Sequence, residues 1–135
     1  MGIMKEKKSF KKRGVVMVRV EDINMSYRIL GDGYPLLLIM GYGGTMNLWE
    51  ERLLRALAKK YKVIIFDNRG IGETSTGHKA FTIEQFAEDS YELMVALKIE
   101  KAHVLGWSMG ASIAQELALR HPEIVNKLVL YASLC

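Results

Sequence analysis

The sequence predicts an α/β fold in which a mostly parallel sheet carries helices on both faces. Apolar stretches of strand length alternate with segments of helical periodicity along the chain, and this alternation is typical of parallel sheets wrapped by helices. Two of the stretches, LLLIM and KVIIFD, are continuously apolar, as in strands covered on both faces. Residue pairs typical of helix starts precede two of the helical segments. We therefore expect one sheet and no second domain.

The first half of the chain predicts three strands and one helix. VVMVRV and MSYRIL lie on either side of the polar break EDIN, and their alternation indicates a hairpin. GDGYP then turns the chain into the buried strand LLLIM. Asn47 and Glu50 form a capping pair, and a four-residue spacing links Trp49, Leu53, Leu57 and Tyr61. A first helix is therefore predicted over residues 47–60.

The second half predicts three more strands and two more helices. KVIIFD, Lys62 to Asp67, opens into the glycine-bearing loop NRGIGETSTG. Thr82 and Gln85 cap a second helix, whose predicted buried face comprises Ile83, Phe86, Ser90, Leu93 and Leu97. AHVLG is a short strand, and MGASIAQELALRH is a third helix that ends at Pro122. KLVLYAS, residues 127–133, is the last strand and reads as apolar on both faces.

Charge and composition argue against several classes of protein. The 135 residues are half hydrophobic and a quarter charged, which suits one soluble domain. The net charge of +4 resides in the segment KEKKSFKKR, Lys5 to Arg13, whose six basic residues and Glu6 sum to +5 and leave −1 elsewhere. We therefore predict a basic tail over residues 1–13, a folded portion over residues 14–135, and no nucleic-acid partner.

Neither a membrane span nor a metal centre is expected. No apolar run approaches the roughly 18 residues that span a bilayer, and the N-terminus lacks the apolar core of a signal peptide. We accordingly predict a cytoplasmic protein without a membrane partner. The single cysteine, Cys135, cannot form an internal disulfide or a metal cluster by itself. No metal and no cofactor are predicted.

The pentapeptide GWSMG lies where a predicted strand becomes a predicted helix, which is the context that a nucleophile turn requires. Side chains at Gly106 and Gly110 would collide with the neighbouring strand and helix, so their absence permits a sharp turn around Ser108. That turn places the Ser108 hydroxyl at a helix N-terminus, where developing negative charge is favoured. The alternative reading is a tight packing turn with an incidental serine.

Backbone N–H groups are the expected stabilisers of an oxyanion beside Ser108. The N–H of Met109 is one natural donor, because it follows the serine at the start of the helix. The second should come from the loop after LLLIM, where MGYGG supplies Gly41 and Gly43. The N–H of Tyr42 is the candidate in that loop.

At these motifs the chain resembles the N-terminal half of an α/β-hydrolase. The resemblance runs from about Gly14 to the last residue and is carried by LLLIMGYGG, FDNRGIGETS, LGWSMG and ALRHPEIVNKLVLYAS. It implies an α/β-hydrolase fold truncated after the sixth strand, a nucleophile at Ser108, and oxyanion donors at Tyr42 and Met109. It also implies a family of esterases, lipases, lactonases, peptidases and cofactor-free perhydrolases. Met40 departs from the family, since many members have histidine before the glycine.

The base and the acid of a catalytic triad are not expected within these residues. In the family that the chain resembles, both follow the serine in sequence and lie beyond the last predicted strand. His121 closes a helix about 20 Å long, and His103 lies about 16 Å before Ser108 along its strand. His78 lies in a loop at the correct sheet edge, but no acid is placed to orient it. We expect Asp67 to anchor that loop, with Arg69 as its partner.

The sequence therefore predicts a serine hydrolase that acts on an ester or related acyl substrate but is poorly active as a 135-residue chain. The alternatives are a catalytically inactive binding or association module, and a perhydrolase-like or haloperoxidase-like activity. Strand 127–133 would be an unpaired edge. We expect it to be covered, either by self-association or by a complementary C-terminal half.

Overall fold

Six β-strands and three α-helices make up the part of the chain that the computed structural model describes, residues 14–132. The strands are β1 (Val16–Val20), β2 (Ile23–Leu30), β3 (Tyr34–Ile39), β4 (Tyr61–Phe66), β5 (Ala102–Trp107) and β6 (Val125–Tyr131). The helices are α1 (Glu51–Ala58), α2 (Ile83–Ala96) and α3 (Met109–Arg120), with 3₁₀ turns at Met46–Leu48 and Pro122–Ile124. The predicted tail over 1–13 and Cys135 lie outside the described residues.

The strands form one sheet in the order β1-β2-β4-β3-β5-β6. β1 pairs with β2 and β2 with β4 in antiparallel fashion, whereas the pairs β4–β3, β3–β5 and β5–β6 are parallel. The predicted mostly parallel sheet is therefore confirmed, with the hairpin at one side. The carboxyl ends of β3, β4 and β5 meet at one edge, and the register sets Ile39 of β3 beside Gly106 of β5.

Two apolar cores cover the two faces of the sheet, as the unbroken apolar strands predict. Alternate residues of β3 and β4 enter opposite cores, because successive side chains of a strand point to opposite faces. One core contains Leu37, Ile39, Ile64 and Phe66 with the buried faces of α2 and α3. The other contains Leu36, Leu38, Val63 and Ile65 with Leu54 of α1. The site at the carboxyl edge therefore stands on strands that are fixed from both sides.

The predicted first helix over residues 47–60 is wrong at its start. The side chain of Thr45, and not Asn47, acts as the cap, and it accepts a hydrogen bond from the N–H of Asn47 to close a 3₁₀ turn. Glu50 is extended, with φ −66° and ψ 131°, so the α-helix begins only at Glu51. Of the predicted stripe, Tyr61 belongs to β4. The second cap is confirmed, since the hydroxyl of Thr82 accepts from the N–H of Gln85.

The last strand begins and ends two residues earlier than predicted, and it is exposed, as expected for a strand at the edge of the sheet. It runs from Val125 to Tyr131, two residues earlier than expected, and Ser133 lies outside the described residues. β6 stands at one side of the sheet and pairs only with β5 among the described strands. Four of its apolar side chains are 37% to 63% exposed: Leu128, Val129, Leu130 and Tyr131. Within residues 14–132, no helix is long and apolar enough to cross a membrane.

Candidate active site

Ser108 occupies a strained turn between β5 and α3. It has φ 57° and ψ −121°, a combination that costs non-glycine residues on the order of 1–3 kcal/mol. Trp107 ends the strand, and Met109 begins the helix, so the turn consists of one residue. The Ser108 side chain forms no capping hydrogen bond with the helix. The turn therefore redirects the chain sharply, and the hydroxyl is not used to cap the helix.

The two flanking glycines allow three elements to meet beneath this turn. A Cβ at Gly106 would overlap the carbonyl of Gly110, and a Cβ at Gly110 would overlap the carbonyl of Ile39. Ala111 and Ala114, which follow on the same helix, are completely buried. Larger residues at these positions would push α3 away from β3 and β5. The close approach expected from GWSMG is thus present in the fold.

Two backbone hydrogen bonds hold the Ser108 turn in place. The N–H of Ser108 donates to the carbonyl of Tyr131 at 2.9 Å, which ties the turn to the end of β6. The Ser108 carbonyl accepts from the N–H of Ala111 at 2.9 Å. Met109 is the first residue of α3, so its N–H has no intrahelical acceptor. A free N–H at a helix N-terminus favours negative charge in front of it.

The loop after β3 lies against the Ser108 turn. A Cβ at Gly41 would lie 3.2 Å from the Ser108 Cβ and 3.6 Å from the Met109 nitrogen. The N–H of Gly44 donates to the carbonyl of Gly41 at 3.3 Å, and Gly43 has φ 69°, as the third residue of a type II turn requires. Because the Gly41 carbonyl points into this turn, the trans peptide directs the N–H of Tyr42 out of it.

An apolar cleft begins beside the same turn, on the face of the sheet that carries α1. It has a volume of about 560 Å³, and its nine lining residues include Met40, Leu48, Trp49, Trp107 and Tyr131. Trp107 directly precedes Ser108, and Tyr131 accepts the serine N–H. The polar N–H of Trp49 is buried without a partner among the described residues. The cleft next to Trp107 and Tyr131 is therefore largely apolar.

Asp67 anchors the neighbouring loops, although its partners differ from the expected one. Its carboxylate accepts hydrogen bonds from the N–H of Met46 at 2.7 Å, the hydroxyl of Ser26 at 2.7 Å and the N–H of Glu73 at 3.1 Å. The expected pairing with Arg69 is wrong, because the guanidinium of Arg69 donates to Asp22 and Asp89 instead. The bond to Met46 holds the loop after β3, so Asp67 joins the loops that follow β3 and β4.

Arg69 instead forms an ion-pair network around its completely buried guanidinium. Its guanidinium donates to both oxygens of Asp22, at 2.7 and 2.8 Å, and to both oxygens of Asp89, at 2.8 and 2.9 Å. Arg69 holds the pKa of Asp22 well below its usual range, and N–H groups of His78 and Lys79 add to this effect. The two carboxylates in turn raise the pKa of Arg69. The network joins the β1–β2 turn, the loop after β4, and α2.

None of the three histidines lies beside Ser108. His78 contacts Asp22 in the β1–β2 turn, and β2 is three strand positions from β5, about 14 Å at ordinary strand spacing. His103 is the second residue of β5, where its ring packs on Tyr34. His121 follows α3 and bonds to Glu88, as expected for a residue at the far end of that helix.

Two side-chain contacts near the site were not predicted from the sequence. The buried side chain of Asn68 donates to the carbonyl of Met40 at 3.1 Å, and Asp89 is buried on α2 as a partner of Arg69. No spacing rule signals either contact, because each joins elements that are distant in sequence. Among residues 14–132, no group of three or more His, Cys, Asp or Glu side chains could hold a metal ion.

Comparison with known proteins identifies the wider group. A family model described as alpha/beta hydrolase fold matches residues 34–134. The "Putative non-heme bromoperoxidase BpoC" of Mycobacterium tuberculosis H37Rv is 43% identical over 112 residues, which is 82% of this chain and 42% of that protein. The "Putative carbamate hydrolase RutD" of Azorhizobium caulinodans is 36% identical over 81% of this chain and 41% of its own length.

Solved structures agree with the curated relatives. The crystal structure of a bacterial membrane phospholipase A superimposes with a TM-score of 0.88 and 28% identity, covering 98% of this chain and 44% of that one. The chain thus spans about two fifths of the length of the relatives it matches. This agrees with the expectation that it corresponds to part of a family member.

Proposed function

Because the chain belongs to the alpha/beta hydrolase fold family, we propose that it is the nucleophile-bearing part of a serine hydrolase for ester or related acyl substrates. The observation that carries this proposal is the one-residue turn at Ser108. It presents a hydroxyl with no capping bond at the start of α3, next to the glycine loop after β3. Relatives named as a carbamate hydrolase and a phospholipase support chemistry at an acyl carbonyl.

In the proposed reaction, the Ser108 oxygen forms a bond to the acyl carbon while a base removes the hydroxyl proton. The electron pair of the carbonyl moves onto its oxygen, which the N–H groups of Met109 and Tyr42 stabilise. Collapse expels the alcohol, which regains the proton, and leaves an acyl-enzyme. Water then attacks the acyl carbon while the base takes its proton, and collapse breaks the bond to Ser108, releases the acid and returns the proton to the serine oxygen. Ser108, Met109 and Tyr42 thus carry the chemistry, while Gly41, Gly43, Gly106 and Gly110 permit their approach.

The base must come from outside the described residues, because none of their histidines lies near the serine. A serine hydroxyl without a base is a weak nucleophile at neutral pH. Oxyanion donors alone leave only a small residue of activity. We therefore propose that the 135-residue chain turns over ester slowly unless another polypeptide segment supplies the histidine and its acid.

The edge strand β6 is the proposed docking line for that segment. Its apolar side chains are exposed on both faces, and its last residue, Tyr131, holds the N–H of Ser108. An added strand would pair with the free backbone groups of β6 and cover the cleft beside Trp107. It would thereby approach the serine from a side on which the described residues offer no base. Pairing of two copies through the same edge is the competing arrangement.

A second activity is favoured by one comparison. The relative named as a non-heme bromoperoxidase suggests that an acyl-enzyme on Ser108 could also react with hydrogen peroxide, giving a peracid and the free serine. That step uses the same nucleophile and oxyanion donors as hydrolysis. Peroxide and water would compete for one acyl-enzyme, so the two activities share their dependence on Ser108.

The test joins the chain to the part of the Mycobacterium relative that lies beyond the matched region. We expect the fused protein to hydrolyse p-nitrophenyl acetate, and Ser108→Ala to lower kcat/KM at least about a thousandfold. Ser112→Ala, one turn along α3, is the matched control and should change kcat/KM less than about twofold. Equal activity of the Ser108→Ala and control variants would refute the proposal. Peracid formation from acetate and hydrogen peroxide would identify the second activity.

A further inference from the structure

Asn68 lies beside the candidate site without touching Ser108. It is 2% exposed and follows Asp67 at the carboxyl end of β4. Its side-chain Nδ2 donates to the carbonyl of Met40 at 3.1 Å. Met40 comes after the last residue of β3, so this bond extends the contact between β3 and β4 past the end of their backbone pairing. The bond therefore acts on the first peptide of the glycine loop.

The Met40–Gly41 peptide lies between Asn68 and the Ser108 turn. β4 and β5 flank β3 on opposite sides, and Asn68 follows β4 whereas Ser108 follows β5. The Met40 oxygen that accepts from Asn68 also lies close to α3, because a Cβ at Gly110 would lie 3.0 Å from it. The next residue, Gly41, lies against the serine turn, where a Cβ would lie 3.2 Å from the Ser108 Cβ. The peptide that Asn68 contacts therefore adjoins the residues on both sides of the serine.

A role in stability alone does not account for Asn68. Its Oδ1 is buried and has no hydrogen-bond partner among the described residues, and an unsatisfied buried acceptor is destabilising. Reversing the amide would set Oδ1 against the Met40 carbonyl, and two acceptors cannot bond each other. Leucine has a similar shape and would remove the unsatisfied oxygen. The feature unique to asparagine here is its bond to Met40.

We propose that Asn68 is a positioning residue for the oxyanion loop, and this inference rests on the proposed hydrolase function. By fixing the Met40–Gly41 peptide, Asn68 sets the path of the backbone into the Gly41–Gly44 turn and hence the direction of the Tyr42 N–H. Stabilisation of an oxyanion depends steeply on donor placement, because a displacement of about 1 Å can cost on the order of a hundredfold in rate.

The test compares Asn68→Leu and Asn68→Asp with the control Asn47→Leu, an exposed asparagine in the 3₁₀ turn after the same loop. In the fused enzyme, we expect both Asn68 variants to lower kcat about ten- to a hundredfold with KM within about twofold. Asn68→Leu should keep its thermal midpoint within about 4 °C of the parent. In the 135-residue chain, NMR should show displaced amide signals for Gly41 and Tyr42 in the Asn68 variants only.

The outcomes separate this inference from the proposed function. If Ser108→Ala abolishes turnover while Asn68→Leu keeps the parental kcat, the positioning role is refuted and the hydrolase remains. A fall in the midpoint of Asn68→Leu by more than about 10 °C would make the residue structural and would also refute the role. If Ser108→Ala retains activity, the proposed function fails. In that case the NMR comparison is the remaining test of the positioning role, and unchanged Gly41 and Tyr42 amide signals in the Asn68 variants refute it.

Discussion

The two sides of the Ser108 turn differ in how fully their polar groups are hydrogen-bonded and their apolar side chains are buried. On the β4 side, Asp67 and Arg69 are buried and accept or donate several short hydrogen bonds. On the β6 side, apolar side chains are exposed along the strand, and the buried N–H of Trp49 has no partner among the described residues. The loops on the β4 side are thus fixed by hydrogen bonds, whereas the β6 side presents exposed apolar surface.

This contrast separates two parts of the proposed mechanism, the positioning of the oxyanion donors and the turnover of substrate. The loop after β3 is held by Asp67 through Met46 and by Asn68 through Met40. On the other side, the N–H of Ser108 donates to the carbonyl of Tyr131, the last residue of the exposed strand. We infer that covering β6 would complete the site without rebuilding the oxyanion loop.

Removing the buried cation should give the largest change in stability. Arg69→Leu leaves the buried carboxylate of Asp89 without its cation, and breaking a buried ion pair in this way costs about 3–5 kcal/mol. Arg120→Leu, which removes an exposed arginine paired with Glu116 on the same helix, is the matched control and should change the free energy of unfolding little. Urea unfolding monitored by circular dichroism measures both. Equal losses of unfolding free energy in the two variants would show that the buried ion pair on the β4 side stabilises the fold no more than an exposed one.

Acid should weaken the same network in a defined direction. Arg69 lowers the pKa of Asp22 in the folded chain, so the pair stabilises the fold fully above the unfolded-state pKa of about 4. That contribution is lost progressively as the pH falls below this value. We expect the urea midpoint of the parent to fall more between pH 5 and pH 2.5 than that of Asp22→Asn. Parallel curves for the two proteins would show that the pair does not govern acid stability.

A charge on the exposed strand should have the smallest effect on the fold and a clear effect on association. Val129 on β6 and Val95 on α2 are 48% and 51% exposed, so Val129→Lys and Val95→Lys form a matched pair. Each should change the free energy of unfolding by about 0.5 kcal/mol or less. Only Val129→Lys should reduce binding through β6, measured by light scattering of the chain alone or with an added C-terminal segment. Equal association of the two variants would contradict the proposal that the added segment binds along β6.

The sequence predicted the parallel sheet, the Ser108 turn and the proximity of the glycine loop, because each depends on local patterns. Gly106 and Gly110 mark a close approach of the helix to the sheet, which the G-x-S-x-G spacing predicts. The predicted start of α1 was wrong, because the side chain of Thr45, and not that of Asn47, caps the 3₁₀ turn before it. The partner of Arg69 was misassigned for a different reason. Asp22 and Asp89 lie 47 and 20 residues away from it, and no periodicity links them.

Asn68 shows the same limit within the site itself. The motif FDNRGIGETS drew attention to Asp67 and Arg69, whereas the contact between Asn68 and Met40 depends on the strand order that sets β4 beside β3. That order is a property of the whole sheet. Side chains that act across neighbouring strands therefore become visible only once the topology is known.

The most direct test of the central claim is the site of covalent labelling by a fluorophosphonate. The fused enzyme should gain one adduct, located on Ser108 by peptide mass spectrometry, and Ser108→Ala should gain none at the same probe concentration. The 135-residue chain should be labelled at the same serine but more slowly, because none of its described histidines lies near that hydroxyl. Absence of an adduct on Ser108 in the folded fused enzyme, or labelling that persists unchanged in Ser108→Ala, would contradict the account.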